Sequence, residues 1–524
     1  MEWYQNNFRR HLCDMHIHDW NDTFLSEFNA ENYVQNLITA NISEAMIYLQ
    51  SHIGYCYYPT ETGLVHGAFK SRPDEMKRLA GLCHQNNIKV VGYYSLIYNT
   101  VEHDRHKEWR MVMENGKSKR ENEKSRYGLC CPNHVEYRDF VFSQIKEILA
   151  YFTVDGLFYD MPFWSHVCYC DSCKKRFMDE TGAQLPSDKT DKNWYAFMTK
   201  RQNWIGEFSQ AVSDYTKGLK PEISVTQNFA CAVLNDDTLC ISDGVNNACD
   251  YTGGDLYGGF LYQSFTCKYY YSATKNQPFE YMTCRCNPDL TKHTVTKSRD
   301  QLQLAVMLTA AHHGATMLID GIDPVGTLDE RVYKTIGEIN RAESPYEKYF
   351  NGALIADVGV YYSLTSKFER HIGRSHHTGA IGAVKALIEA HIPVSVITNR
   401  QKNDLAKYKA IILSDLNRTD DDMLEAFCEY AKTGGTLYFS GGDEPRLLEL
   451  IGVRLQNYTE ETQTYVSPKK EVENLLPDFN ETYPVPFNVS LPQISGADDR
   501  DVLATITLPF SPSTDYIKFA SIHS

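Results

Sequence analysis

Asp160 closes the run Val154-Asp155-Gly156-Leu157-Phe158-Tyr159-Asp160-Met161, in which apolar residues give way to a carboxylate. Such a run reads as a buried parallel strand, and the acid stands at its exit. A carboxylate so placed can attack the anomeric carbon of a sugar if a second carboxyl group protonates the leaving oxygen. Two acids are candidates for the second role. Glu280, in Pro278-Phe279-Glu280-Tyr281-Met282-Thr283, has apolar neighbours able to raise a carboxyl pKa by desolvation. Asp255, in Gly253-Gly254-Asp255-Leu256-Tyr257-Gly258, stands at another strand exit and either donates the proton or holds sugar hydroxyls. Each acid also has a plain structural reading: a helix cap or buried acceptor for Asp160, an Arg or Lys partner for the other two.

His16, His18 and His52 are candidates to hydrogen-bond sugar hydroxyls as neutral imidazoles, with Tyr94, Trp164 and Tyr257 beside them. His16-x-His18 also has the spacing that opens the metal site of barrel hydrolases. That site needs a Glu or carboxylated Lys on the fourth strand, His after the fifth and sixth, and an Asp after the eighth. Here those places hold Asp160, Gln227, Asp255 and Asp320, and only Asp320 fits. Cys168, Cys170 and Cys173, with a fourth thiolate from Cys130 or from Cys131 beside it, make the donor set of tetrahedral zinc; His166 is a substitute ligand. The plain alternative is free thiols packed in an insertion. Four protein ligands leave no open position, so such an ion is structural, and the sugar chemistry itself needs no cofactor.

These residues need a frame that brings strand ends together. Eight β-prone runs recur, at Leu12–His16, Ala45–Leu49, Val90–Leu96, Gly156–Asp160, Ile223–Gln227, Asp250–Asp255, Phe279–Thr283 and Thr316–Asp320. Helical periodicity follows most of them, at 31–40, 73–87, 135–152, 193–219, 298–313 and 330–342. Strand then helix eight times predicts a (β/α)8 TIM barrel, whose site lies at the carboxyl ends of the strands. Polar insertions at 98–134 and 163–192 fall over that face. A second α/β pattern begins near Ala353 and reads as a flavodoxin-like parallel sheet. Its Gly434-Gly435 and Gly441-Gly442 pairs match no dinucleotide fingerprint. The expected domains are 1–348 (the barrel), 349–465 (the flavodoxin-like domain) and 466–524 (a small β-prone segment with runs at 502–508 and 516–519, cut short within a third domain).

The bulk properties agree with a neutral sugar as substrate. The chain has 524 residues, 42% hydrophobic and 23% charged, with a net charge of −15 that repels nucleic acid and anionic membrane. There is no apolar run long enough for a membrane span and no secretory leader, and the 15 cysteines are scattered. A reducing cytoplasm is the expected location.

The motifs resemble a known family. Gly92-Tyr93-Tyr94-Ser95 is similar to the third strand of glycoside hydrolase family 29 α-L-fucosidases, and Gly156–Asp160 to their fourth, whose final Asp is the nucleophile. Phe279-Glu280-Tyr281-Met282-Thr283, Lys297-Ser298 and Asp323-Pro324-Val325-Gly326-Thr327 resemble further segments of that family. Ser51-His52-Ile53-Gly54 keeps one His and the Gly of its second-strand element, and departs from it at Ser51 and Ile53. Over nearly the whole chain the sequence more closely resembles the hypothetical glycosyl hydrolase 6 group and family 151 α-L-fucosidases. Asp14-Met15-His16-Ile17-His18-Asp19-Trp20 and Cys130-Cys131-Pro132-Asn133 carry that likeness. The second domain resembles the trimerisation domain of family 42 β-galactosidases, which also carry a Cys-x-Cys-x-x-Cys zinc element. The resemblance implies a retaining exo-α-L-fucosidase, assembled as a trimer or dimer. A β-galactosidase-like enzyme, a non-catalytic carbohydrate-binding barrel and a metal-dependent hydrolase are the alternatives.

Overall fold

Eight parallel strands form one sheet: β1 (Arg9–Asp14), β2 (Glu44–Tyr48), β3 (Lys89–Ser95), β4 (Gly156–Asp160), β5 (Ser224–Gln227), β6 (Gly253–Asp255), β7 (Glu280–Cys284) and β8 (Ala315–Gly321). This is a computed structural model, and it describes residues 2–234, 237–367, 375–416, 418–441 and 444–509. The spatial order is β5-β4-β3-β2-β1-β8-β7-β6. A parallel bridge from Asn228, just past β5, to Gly253 of β6 closes the ring. The expected (β/α)8 TIM barrel is therefore present, each strand within a few residues of its predicted run.

The enclosing helices are α1 (Ala30–Thr39), α2 (Glu75–Gln85), α3 (Val135–Tyr151), α4 (Asp171–Thr181), α5 (Trp194–Leu219), α6 (Asp243–Asn247), α7 (Phe260–Ala273), α8 (Arg299–Ala311) and α9 (Glu330–Glu343). The periodicity does not announce α7. Its buried residues, among them Phe265, Cys267, Tyr269 and Tyr270, spread around the helix instead of forming one stripe.

Strand alternation sorts the side chains into layers. Arg10, Glu44 and Glu280 begin their strands inside the ring and form its floor, with Arg10 in register with Glu44. Arg10 Nη1 donates to Glu280 Oε2 at 2.8 Å, while Nε and Nη2 reach the carbonyls of Asn7 and Tyr4 at 3.1 Å each. Its guanidinium also lies 4.8 Å from the Tyr251 ring centroid. Burial and the neighbouring Glu280 hold the Glu44 carboxyl far above its ordinary range. Higher up, Tyr48, Tyr93 and Phe158 stack from adjacent strands, with ring centroids 4.0 Å and 5.8 Å apart. They make a flat aromatic wall beneath the strand exits.

The chain divides into two compact units, 1–354 and 355–524. In the second, strands Val358–Tyr361, Val394–Ile397, Ala410–Ser414 and Thr436–Ser440 are all parallel, with Val358–Tyr361 between the second and third. That 2-1-3-4 order is flavodoxin-like. Short antiparallel sheets follow, including Ala504–Thr507 from the run expected at 502–508. The run at 516–519 and Gly442 lie outside the described residues. Among the described residues no helix is long and apolar enough to cross a membrane.

Removing one partner of the floor pair leaves an uncompensated buried charge, which costs roughly 3–5 kcal/mol. Arg10→Met should therefore lower the free energy of unfolding by about that amount, read from the urea midpoint at constant m-value.

Candidate active site

A cavity of about 970 Å³ opens at the carboxyl ends of the strands. Asp14, His16, His52, Tyr93, Asp160, Asn228, Asp255, Tyr257 and His293 are among its lining residues. Its apolar walls and few polar groups are those of a small-molecule site.

Asp160 is the centre of the polar network. Its Oδ1 accepts from Met161 N at 2.7 Å and from Asn228 Nδ2 at 2.8 Å, and the Tyr93 hydroxyl donates to Oδ2. Met161 holds a left-handed backbone (φ +59°), uncommon for a side chain of its type; the turn aims its N–H back at the acid. The same Asn228 nitrogen donates to Asp255 Oδ1 at 2.6 Å. Ala230 N donates to Asn228 Oδ1 at 3.0 Å, which fixes the amide's orientation. The two acids thus hang from one nitrogen, and their oxygens lie no farther apart than those two bonds laid end to end. That upper limit lies below the ~6.5–9.5 Å of inverting carboxyl pairs, so the spacing is on the retaining side. Burial first, and then the charge of Asp255, pushes Asp160 up to about 7 against the pull of its donors.

Across the cavity His16 and His52 stack, centroids 3.8 Å apart and planes 19° apart. His52 Nε2 stands 3.6 Å from Asp160 Oδ2. Burial, and then the adjacent His16, hold His52 far below its ordinary value; burial likewise takes His16 down to about 4. Asp14 accepts from the Tyr48 hydroxyl at 2.9 Å and faces His293 Nε2 at 3.4 Å. Burial opposes its charge, yet His16, His293 and Tyr48 outweigh that and hold the Asp14 carboxyl below its usual range. The contact with Asp14 raises His293 in turn.

The structure brings Asp160, Asp255, His16, His52 and Tyr257 together as expected, and moves the other candidates elsewhere. Glu280 is the first residue of β7, on the floor with Arg10 and 0% exposed, so it cannot meet substrate at the opposite end. Tyr94 points out of the ring, its hydroxyl 3.3 Å from Gln144 of α3; alternation gives the inward place to Tyr93. Trp164 is buried, its Nε1 donating to the Arg201 carbonyl at 2.9 Å, and neighbouring Phe163 lines the cavity instead. His18 lies outside the lining, and its carbonyl engages His66 Nε2 at 2.9 Å. Sequence reasoning passed over Asp14, Tyr48, Tyr93, Asn228 and His293. Period-two alternation, counted back from Asp160 and Ser95, marks Phe158 and Tyr93 as inward.

The thiol cluster is Cys131, Cys168, Cys170 and Cys173, with sulfurs all within 4.8 Å of one another. Cys131 Sγ lies 3.5 Å from both Cys173 Sγ and Cys170 Sγ, near the about 3.8 Å edge of a tetrahedron with ~2.3 Å zinc–sulfur bonds. Asn133 donates to two of the sulfurs, from N to Cys131 at 3.4 Å and from Nδ2 to Cys173 at 3.3 Å. Cys130 is not a member. It pairs as strand with Arg110, so its side chain faces opposite to that of Cys131 and reaches the Asn99 carbonyl at 3.8 Å. His166 is likewise outside the cluster.

Residues 29–161 match the family model described as Hypothetical glycosyl hydrolase 6. No curated protein is significantly similar in sequence. Among solved structures, α-L-fucosidase isoenzyme 2 from Paenibacillus thiaminolyticus aligns with TM-score 0.75 and 19% identity, over 98% of this chain and 76% of that one. A β-galactosidase from Rahnella sp. R3 aligns with TM-score 0.73 and 15% identity, over 98% and 84%. A β-galactosidase from Bacillus circulans sp. alkalophilus aligns with TM-score 0.72 and 15% identity, over 99% and 84%. The chain shares the fold of these three enzymes.

A carboxyl group raised by folding favours the folded state at low pH, and that advantage is lost as pH climbs through the folded value. Between the ordinary ~3.9 and about 7, the wild type should lose stability relative to Asp160→Asn, measured by urea unfolding at pH 4.5 and 7.5. Parallel curves for the two proteins would refute the raised carboxyl.

Proposed function

We propose that this protein is a retaining exo-acting glycoside hydrolase, with α-L-fucosides as the first substrate class and β-galactosides as the second. The observation that carries the reading is the pair Asp160 and Asp255, hung from the single amide of Asn228 and so too close for an inverting pair. Asp160 is the nucleophile. Its donors, Tyr93, Met161 N and Asn228, all favour a carboxylate aimed into the cavity. Asp255, the more exposed of the two, is the acid that protonates the leaving oxygen and the base that then activates water. In its working state the pair holds one proton, and burial with the charge of Asp255 raises the Asp160 carboxyl. His16, His52 and Tyr257 hold the sugar over the aromatic wall. The β-galactoside reading draws support from the two β-galactosidase structures that share the fold.

Azide separates the roles of the two acids. Asp160→Ala should lose almost all turnover of 4-nitrophenyl α-L-fucoside and, with azide, yield a glycosyl azide of inverted configuration. Asp255→Ala should yield a retained azide on an activated substrate. Exchanged products would exchange the roles, and an Asp160→Ala enzyme keeping more than a few per cent of wild-type rate would sink the pair.

We further propose that Cys131, Cys168, Cys170 and Cys173 hold a structural zinc ion, that the hydrolysis uses no cofactor, and that the protein works in the cytoplasm as a homotrimer or dimer. Four thiolates complete a tetrahedron, so the ion has no place for substrate. One zinc per chain is expected by elemental analysis, retained in Cys130→Ser and lost in Cys131→Ser.

A further inference from the structure

The stacked imidazoles His16 and His52 are held in opposite tautomers by partners whose own protons are already committed. His52 Nδ1 lies 2.7 Å from Ser95 Oγ, and that hydroxyl donates to the Tyr98 carbonyl at 2.8 Å. A carbonyl only accepts, so Ser95 spends its single proton there and can only accept from His52. His52 therefore carries its proton on Nδ1, and Nε2 is bare. For His16 the order is reversed. The His52 backbone N–H donates to His16 Nδ1 at 3.2 Å, leaving the His16 proton on Nε2. There it faces the Tyr48 oxygen at 3.3 Å, whose own proton goes to Asp14.

The bare His52 Nε2 stands 3.6 Å from Asp160 Oδ2. A carboxylate would draw a proton to that nitrogen if the tautomer were free to choose. We propose that Ser95 is a positioning residue: it fixes His52 as the Nδ1–H tautomer and so presents a bare acceptor beside Asp160, matched to a sugar hydroxyl that donates. The hydroxyl so placed lies close to the reacting carbon. This inference rests on Asp160 being a reacting carboxylate.

The groups that face His52 are His16 and Asp14 from β1, Tyr93 and Ser95 from β3, and Asp160 from β4. Tyr98, Arg126 and Tyr127 face it from the insertion after β3. Burial first, and then His16 and Arg126, disfavour an imidazolium there, while Asp14 favours one. A neutral ring with one fixed proton follows.

The test is nitrogen NMR of the full chain labelled at the imidazoles, with His52 assigned by its loss in His52→Gln. Between pH 6 and 8 the wild type should show Nδ1 protonated and Nε2 bare. Ser95→Ala should shift the proton wholly or partly to Nε2 and raise KM about tenfold, the worth of one hydrogen bond, with a smaller change in kcat. Ser95→Thr, which restores the hydroxyl, should restore both. A protonated Nε2 in the wild type would overturn the proposal without any variant. So would a Ser95→Ala enzyme with unchanged tautomer and KM. The nitrogen signals need no turnover, so inactivity on every glycoside would defeat the glycosidase reading while the tautomer is decided separately.

Discussion

Two carboxylates held within reach of each other repel, by about 3 kcal/mol at 5 Å and an effective dielectric near 20. Their closeness has to be maintained by something rigid. In this chain that is Asn228, at the seam where the barrel closes between β5 and β6. Its backbone joins the ring by donating to the Tyr159 carbonyl at 3.0 Å, and its amide is oriented by Ala230 N. Both amide protons then go to the acids. The seam fixes the residue, and the residue fixes the acids.

The barrel buries charge at both ends and treats it differently. On the floor, Arg10 and Glu280 face each other directly, with every Arg10 nitrogen engaged by a carboxylate or a carbonyl. That arrangement is finished and inward. At the mouth the acids have donors but no direct cation, and one of them sits well above its ordinary range. What separates the two ends is access: the mouth acids line a cavity that a ligand can enter, whereas Glu280 and Glu44 are sealed inside the floor. The difference explains why Glu280, though an acid on a barrel strand among aromatic neighbours, belongs to the scaffold.

Much of this was legible in the sequence because parallel strands buried on both faces read as apolar runs. All eight were visible, and so was the acid ending the fourth. The errors came where a type of residue was identified without its direction. Tyr94 and Tyr93 differ by one position, and a strand sends such neighbours to opposite faces. Cys130 and Cys131 differ in the same way. Glu280 stands at the start of its run as the sequence indicates, and the start of a barrel strand lies at the bottom, away from the exits where a sugar would bind. Asn228 carries no signal of its own, since an amide after a short strand is ordinary. Its role comes from ring closure, which unites residues separated by 68 and 27 positions in sequence.

The sulfur cluster has a mechanical consequence for how anything gets in. Cys131 comes from the insertion after β3, and the other three from the insertion after β4. Arg126 and Tyr127 of the first insertion, and Phe163 of the second, form one bank of the cavity. Held by the proposed zinc ion, the two insertions would move as one, and that bank would act as a fixed jamb. Any opening of the doorway would then fall to the opposite bank, Tyr257, Tyr262 and the stretch from Leu290 to Thr294, where His293 faces Asp14 at 3.4 Å.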